Sequence, residues 1–354
     1  MLYRENGQFK TSYRQDQQML PILQDRIFMG LLLLFVFVGA PFIFSDYLFL
    51  SILIPFLILS LAALGLNLLV GYCGQISLGH AAFMSVGAYA AYNLALRLPQ
   101  LSFLVVLILA GLIAALVGLL FGIPSLRIRG LYLAVATLAA QFFIDWIFAR
   151  VKYFTNYAPS GSVSTATINI FGWNVDSPVR KYLFLLAVVT VFAVLAKNLV
   201  RGHMGRAWMA MRDMDVAAEV IGIRPVYAKL TAFGVSSFYV GIAGALWGFV
   251  YLGSWEPLAF DISLSLNLLF MIIIGGMGSI LGSFFGAFFI VALPILLNRI
   301  PGWIGVHLST AMVANLETMI FGSLIVFFLI VEPQGLARLW AIGKEKLRLW
   351  PFPH

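Results

Sequence analysis

Ser102-Phe103-Leu104-Val105-Val106-Leu107-Ile108-Leu109-Ala110-Gly111-Leu112-Ile113-Ala114-Ala115-Leu116-Val117-Gly118-Leu119-Leu120-Phe121-Gly122-Ile123 carries no charge from end to end. Wound as an α-helix at 1.5 Å per residue, it reaches about 33 Å, enough to cross a hydrocarbon core of about 30 Å. Lipid offers no water to its peptide groups, so they must bond to one another within the segment, and a helix does this. Outward from this block, comparable apolar stretches recur at 78–96 and 131–149, then at 27–45, 48–71, 182–199, 229–252, 263–277, 283–298 and 317–333. Strands of a membrane barrel would alternate polar with apolar residues, and these stretches do not. The expected fold is an all-α integral membrane protein with about ten transmembrane helices, interrupted by glycine-rich breaks.

Composition agrees. The 354 residues are 62% hydrophobic and only 10% charged, with mean hydropathy +0.99, against roughly 25% charged residues in a soluble domain. The net charge of +8 does not point to nucleic acid, because the basic residues lie in short segments beside apolar blocks, where topology places them. One side collects Arg4, Lys10, Arg14, Arg26, Arg127, Arg129, the group from Lys197 to Lys229, and Arg338, Lys344, Lys346 and Arg348. The other keeps Arg97, Arg150, Lys152, Arg180, Lys181 and Arg299. This bias predicts an even number of crossings with both termini in the cytoplasm. The chain then divides into a cytoplasmic tail 1–26, a membrane domain 27–333 and a cytoplasmic tail 334–354. No small-residue cleavage pattern follows Pro41, so removal of the first block as a signal peptide is not expected. Cys73 is the only cysteine, which rules out an intrachain disulfide and a cysteine metal cluster. The external segment 150–181, rich in Ser, Thr, Asn and Gly with Pro159 and Pro178, reads as a long loop with some order.

The polar island from Arg201 to Pro225 separates two long apolar blocks. Within it Ala207, Met211, Met214, Ala218 and Ile221 recur at helical spacing, while Arg206, Arg212, Asp213, Asp215 and Glu219 fall on other faces. Gly222 permits a helix stop and Pro225 reinforces it. The prediction is a short amphipathic helix and a turn, which either rests on lipid or docks a cytoplasmic motor. No soluble domain is evident, so whatever supplies energy or captures ligand is expected to be another chain.

Two glycine-punctuated breaks interrupt the apolar blocks. The first is Gly71-Tyr72-Cys73-Gly74-Gln75-Ile76-Ser77-Leu78-Gly79-His80, and the second is Gly275-Gly276-Met277-Gly278-Ser279-Ile280-Leu281-Gly282-Ser283. Both continue into small-residue helices, through Gly87 and Gly286, as a weak internal repeat would. Such breaks can present helix ends and carbonyls to a polar ligand, or serve close helix packing. His80 fits a ligand contact or a histidine bonded within the bundle. Asp145, Glu317 and Glu332 lie near helix ends, as interfacial or paired acids do. The chain lacks a phosphate-binding G-x-x-x-x-G-K-[ST] loop, since Gly343-Lys344 is followed by Glu345. An H-E-x-x-H site is absent too, so neither an ATPase nor a metalloprotease is expected, and no metal site.

The run from Gly65-Leu66-Asn67 through Gly79-His80-Ala81-Ala82-Phe83 resembles the signature of LivM-type permeases of branched-chain amino acid ABC importers. The resemblance continues at Ile123-Pro124-Ser125-Leu126-Arg127-Ile128-Arg129-Gly130-Leu131-Tyr132, Gly205-Arg206-Ala207, Ala217-Ala218-Glu219-Val220-Ile221-Gly222, Gly275-Gly276-Met277-Gly278-Ser279 and Pro333-Gln334-Gly335-Leu336. It covers about 48–337. Met214-Asp215 stands where that pattern often has Asn-Glu, and Thr155 to Ser162 where a Thr-Gly-Gly loop is common. The resemblance implies a non-catalytic inner-membrane subunit that pairs with a second, homologous permease, two cytoplasmic ATPases and an external solute-binding protein. It binds no cofactor itself; ATP is used by the partner ATPases. Arg206, Ala217, Ala218, Glu219 and Gly222 are then expected to couple to the ATPase, and Gln75, Ser77, His80, Gly275, Gly276 and Gly278 to line the path. Urea or a short-chain amide is the alternative substrate. A self-sufficient channel or ion-coupled transporter is the alternative of another class. A membrane enzyme lacks a convergent acid, base or metal set.

Overall fold

A computed structural model describes residues 11–12, 23–126, 130–158, 161–165, 169–170, 173–304, 310–332 and 334–349. Arg4, Lys10, Arg14, Arg127, Arg129, Pro159, Pro333 and the end of the C-terminal tail lie outside the described residues, as do the side chains of Arg299, Glu317 and Arg348. In chain order the helices are α1 (Gln24–Ile43), α2 (Asp46–Tyr72), α3 (His80–Arg97), α4 (Phe103–Gly122), α5 (Leu131–Arg150) and α6 (Pro178–Arg201). They continue as α7 (His203–Asp213), α8 (Asp215–Val220), α9 (Pro225–Leu252), α10 (Ile262–Gly275), α11 (Ile280–Ile304), α12 (Thr310–Val331) and α13 (Gly335–Leu349).

Eight helical stretches among the described residues are long and apolar enough to cross a membrane. They correspond to eight of the ten expected spans. The other two are also helical. The span 78–96 is α3, whose His80, Ser85 and Asn93 dilute its hydropathy and whose first half is wholly buried. The span 317–333 falls in α12, where Thr318–Phe328 forms a shorter apolar run. The chain is thus an all-α integral membrane protein.

The centre of the bundle is α9, which packs along α4, α3 and α2. Glycines permit this approach: a Cβ on Gly87 of α3 would run into the Gly241 carbonyl of α9, and one on Gly244 into the Met84 carbonyl. With little hydrophobic drive between helices in lipid, such backbone proximity supplies the packing attraction. Gly286 of α11 lies likewise against the Met271 carbonyl of α10. At the opposite end from α7 and α8, described residues of the 150–181 segment form two short antiparallel pairs, Val163–Ser164 with Ser254–Trp255 and Asn169–Ile170 with Trp173–Asn174.

The polar island departs from its predicted single helix. It forms two, α7 and α8, meeting at Met214 in extended backbone (φ −155°, ψ 98°). Asp215 opens α8, where a carboxylate suits the positive end of a helix. The helix ends as predicted: Gly222 takes φ 91°, and Ile223 N–H donates to the Ala218 carbonyl at 3.0 Å, the six-to-one bond of a Schellman turn. Pro225 then occupies the first turn of α9, where its missing N–H costs nothing.

Candidate functional site

The first break begins where α2 loosens into a π turn over Leu68–Tyr72, which frees carbonyls from the ordinary ladder. Gly74 takes φ 72° and accepts the close approach of Arg212, whose Cγ would lie 2.9 Å from any added Cβ. Arg212, in the last turn of α7, donates from Nη1 to the Gly71 carbonyl at 2.8 Å and from Nε to Asp213 Oδ1 at 2.9 Å. Its Nη1 would also stand 3.2 Å from a Cβ on Gly278. One arginine therefore sits against both glycine breaks.

Asn67 joins the breaks from the other side. Buried completely in α2, it accepts the Gly278 amide at 2.9 Å and donates from Nδ2 to the Ser279 carbonyl at 2.8 Å and to Ser283 Oγ at 2.9 Å. Gly276, at φ 119°, meets the turn into α13: a Cβ there would strike the Gln334 carbonyl. Gly275 lies against the Gly282 carbonyl. The second break is held by α2, α7 and α13 together.

His80 is buried between two hydroxyls, with Nδ1 2.8 Å from Ser77 Oγ and Nε2 2.8 Å from Ser236 Oγ. Ser236 spends its own proton on the Gly65 carbonyl at 2.7 Å, so it must accept from Nε2–H. Nδ1 then accepts from Ser77, and the ring is a neutral, fully bonded link between α3, α9 and α2. The helix-end amides that the break was expected to present are occupied by side chains of the bundle. Leu78 N–H bonds Thr137 Oγ1 at 2.9 Å, Ala81 N–H bonds Ser265 Oγ at 2.8 Å and Ala82 N–H bonds Gln141 Oε1 at 2.7 Å. Gln141 completes its set with Asp145 (3.1 Å) and the Phe260 carbonyl (2.8 Å).

Gln75 is different. It is 6% exposed, yet neither its amide nitrogen nor its oxygen has a partner among the described residues. It lines a cavity of about 330 Å³ with Cys73, Leu133, Met211, Arg212, Asp213, Met214, Asp215 and Lys229. Of the six path residues predicted from sequence, Gln75 alone reaches this cavity; Ser77 and His80 are consumed by bundle bonds, and the three glycines by backbone packing.

Of the five coupling residues, Arg206, Ala217, Glu219 and Gly222 are exposed, whereas Ala218 is buried. The predicted apolar stripe is corrected in part. Met211 and Ala218 face inward, but Met214 and Ile221 are 71% and 74% exposed, with Val216 and Val220 beside them at 67% and 83%. The break at Met214 rotates α8 relative to α7, which removes the common face. The acids are paired: Asp145 with Gln141, and Glu332 with Arg338 at 3.3 Å in an ion pair without hydrogen-bond geometry. Among the described residues no group of three His, Cys, Asp or Glu could hold a metal.

Sequence reasoning missed Asn67, Arg212, Gln141 and Ser236 as organising residues. The signal for Asn67 and Gln141 was present, since an amide inside an apolar span needs a partner that lipid cannot give. Arg212 carried no signal beyond its charge.

Crossing helices with small-residue seams, a polar two-helix element at one end and bonded glycine breaks beneath it define a multi-pass membrane permease. The chain belongs to the family of permease components of the branched-chain amino acid transport system, whose pattern matches residues 48–329. It is 31% identical over 300 residues to the high-affinity branched-chain amino acid transport system permease protein LivM of Salmonella typhimurium, and equally to that of Escherichia coli. Each match covers 77% of this chain and 66% of the relative, a little under two thirds of its length. A probable branched-chain amino acid transport permease protein LivM of Methanocaldococcus jannaschii is 22% identical over 324 residues, covering 80% of this chain and 92% of that protein. No solved structure matches the chain.

Proposed function

We propose that this chain is the permease subunit of an ATP-driven importer for branched-chain amino acids, lying in the inner (cytoplasmic) membrane with both termini in the cytoplasm. Tails 1–26 and 334–354 flank the membrane domain 27–333. Its partners are a homologous second permease, two cytoplasmic ATPases that consume the ATP, and an external solute-binding protein. The chain performs no catalysis and binds no cofactor. The substrate follows from the names of the relatives.

The mechanism rests on one observation: Arg212, at the end of the exposed α7–α8 element, bonds the Gly71 carbonyl and lies against Gly278. The apolar side chains of Met214, Val216, Val220 and Ile221 stand exposed at that element, beside Arg206, Ala217, Glu219 and Gly222. They offer an ATPase an apolar contact of the kind found at the buried core of an interface. Closure of the motor moves α7, Arg212 carries the movement to both breaks, and the helices rock around the path. ATP binding drives this only if it stabilises one permease state more than the other.

The test is uptake and substrate-stimulated ATP hydrolysis in vesicles holding this chain, its partner permease, the ATPases and the binding protein, with leucine or urea supplied. Leucine dependence is expected. Urea dependence would replace the substrate, and uptake by this chain alone without ATP would overturn the importer reading in favour of a channel or ion-coupled carrier.

A further inference from the structure

A groove of about 670 Å³ runs along the surface of the bundle between α4 and α9. Ala115 and Leu119 of α4 line one side and Val235 and Phe238 of α9 the other, with Met204 of α7 completing the lining. Gly234 keeps it open, since a Cβ there would stand 3.1 Å from Leu119. Leu112 and Val226 on its rim are exposed, so the groove opens toward lipid. From Val226 to Phe238, α9 rises about 18 Å, a little over half of a hydrocarbon core of about 30 Å. The groove is therefore one leaflet deep, and it starts at the end of the bundle that carries α7.

Within the groove the one hydroxyl is already bonded. Thr231 Oγ1 donates to the Tyr227 carbonyl at 2.7 Å and accepts from Trp208 Nε1–H at 3.1 Å, which leaves the slot apolar. The mouth differs. Arg224 and Tyr227 are exposed there, and among the described residues neither side chain has a hydrogen-bond partner or an ion pair. A guanidinium receives a phosphate on two parallel N–H donors, and tyrosine is enriched at the level of lipid head groups. The ligand these features describe has a hydrocarbon tail one leaflet long and a negative head. A helix about 10 Å across would fill about 1,400 Å³ over the same length, twice the groove, so the slot fits a single chain.

We propose that this groove seats one acyl chain of an anionic phospholipid, whose phosphate is held at the mouth by Arg224 and Tyr227. A zwitterionic head group carries its own cation beside the phosphate and gains less from Arg224, so the site selects net negative charge. With the orientation proposed above, the lipid belongs to the cytoplasmic leaflet, where anionic lipids give the surface its negative potential. Because Met204 of α7 shares the lining with α4 and α9, a seated lipid also fastens α7 to those two helices.

Lipid binding tests the site without any transport, so its outcome is independent of which solute the complex carries. The full chain, stripped of lipid in detergent, is titrated with dioleoyl phosphatidylglycerol or dioleoyl phosphatidylcholine, and retained lipid is counted by native mass spectrometry. The first phosphatidylglycerol should be retained at a concentration at least tenfold below that needed for phosphatidylcholine. Arg224→Gln should erase this preference, and Ala115→Phe, which fills the slot and leaves the mouth intact, should weaken retention of that lipid at least tenfold. Glycerol phosphate, a head without chains, should not displace it. Phosphatidylglycerol should also slow hydrogen exchange over 203–213. A preference absent from the unaltered chain, or unchanged in Arg224→Gln, overturns the site. Undiminished retention in Ala115→Phe, or displacement by glycerol phosphate, overturns the seated chain, and binding with unchanged exchange overturns the fastening of α7. Loss of the lipid on assembly with the partner permease would give the groove to a helix of that partner and overturn the lipid as its occupant.

Discussion

Asn67 contributes three hydrogen bonds to one joint, and each reaches across more than two hundred residues of sequence, to Gly278, Ser279 and Ser283. Its replacement by Ala strips the Gly278 amide of its partner and leaves the Ser279 carbonyl only the Ser283 N–H at 3.3 Å; an unsatisfied group in such a place costs about 1–3 kcal/mol. Asn67→Ala should therefore lower the thermal midpoint in detergent, with Asn67→Asp falling between the two because the Gly278 acceptor survives. A midpoint unmoved by Asn67→Ala would mean that the breaks are held by packing alone. Gly222 poses the opposite case. Nothing lies within 4 Å of a Cβ placed there, but its φ is 91°, a conformation that costs other residues about 1–3 kcal/mol. Gly222→Leu should therefore distort the α8 turn without a clash, leaving membrane insertion intact and lowering coupled uptake. Uptake equal to that of the unaltered chain removes Gly222 from the coupling element.

At the scale of elements, the helices that face lipid were legible because their sequences must be apolar for about 20 residues. The turn at Gly222 and the start at Pro225 were legible because glycine and proline fix backbone locally. The division of the polar island at Met214 was not, since nothing local such as glycine or proline marks it, and the bond that Arg212 makes beside it reaches a carbonyl 141 residues away. Likewise the spacing of Met211, Met214, Ala218 and Ile221 predicted one shared apolar face, whereas Met211 and Ala218 are buried and Met214 and Ile221 exposed, because a helical stripe holds only while the helix continues. Of the residues expected along the path, Gln75 lies at the first break, but its lack of a partner among the described residues is a property of the folded bundle. Arg212 tests what α7 transmits. Arg212→Ala removes a charge-assisted bond, worth about 1.5–3 kcal/mol, from the Gly71 carbonyl. In the assembled complex, basal ATP hydrolysis should persist while leucine-stimulated hydrolysis falls at least tenfold. An equal fall in both would make Arg212 a structural prop and not a transmission point.

For the whole molecule, the same end of the bundle gathers α7, α8, both breaks and the start of α13, where Gly335 abuts the Gly276 amide. Lys344 of α13 in turn grips Asp25 of α1 at 2.8 Å, so movement at that end has a route to the first helix as well as to α2 and α10. Packed interfaces of this kind switch between discrete arrangements and do not deform smoothly. Cys73 is a built-in reporter of such a switch. It is the only thiol in the chain, it is 4% exposed, and it lines the cavity between the first break and α7. If α7 pulls away from Gly71 during the cycle, the wall that covers Cys73 opens. Maleimide labelling of the Cys73 peptide, followed by mass spectrometry so that thiols of partner chains do not interfere, should be slow in the resting complex and at least several-fold faster during ATP turnover with leucine. Trapping the motor closed should hold the fast rate, and Arg212→Ala should raise the resting rate toward it, because the anchor between α7 and the break is already gone. A labelling rate identical in all of these states would place the first break outside the moving part of the molecule and leave α7 as a fixed support.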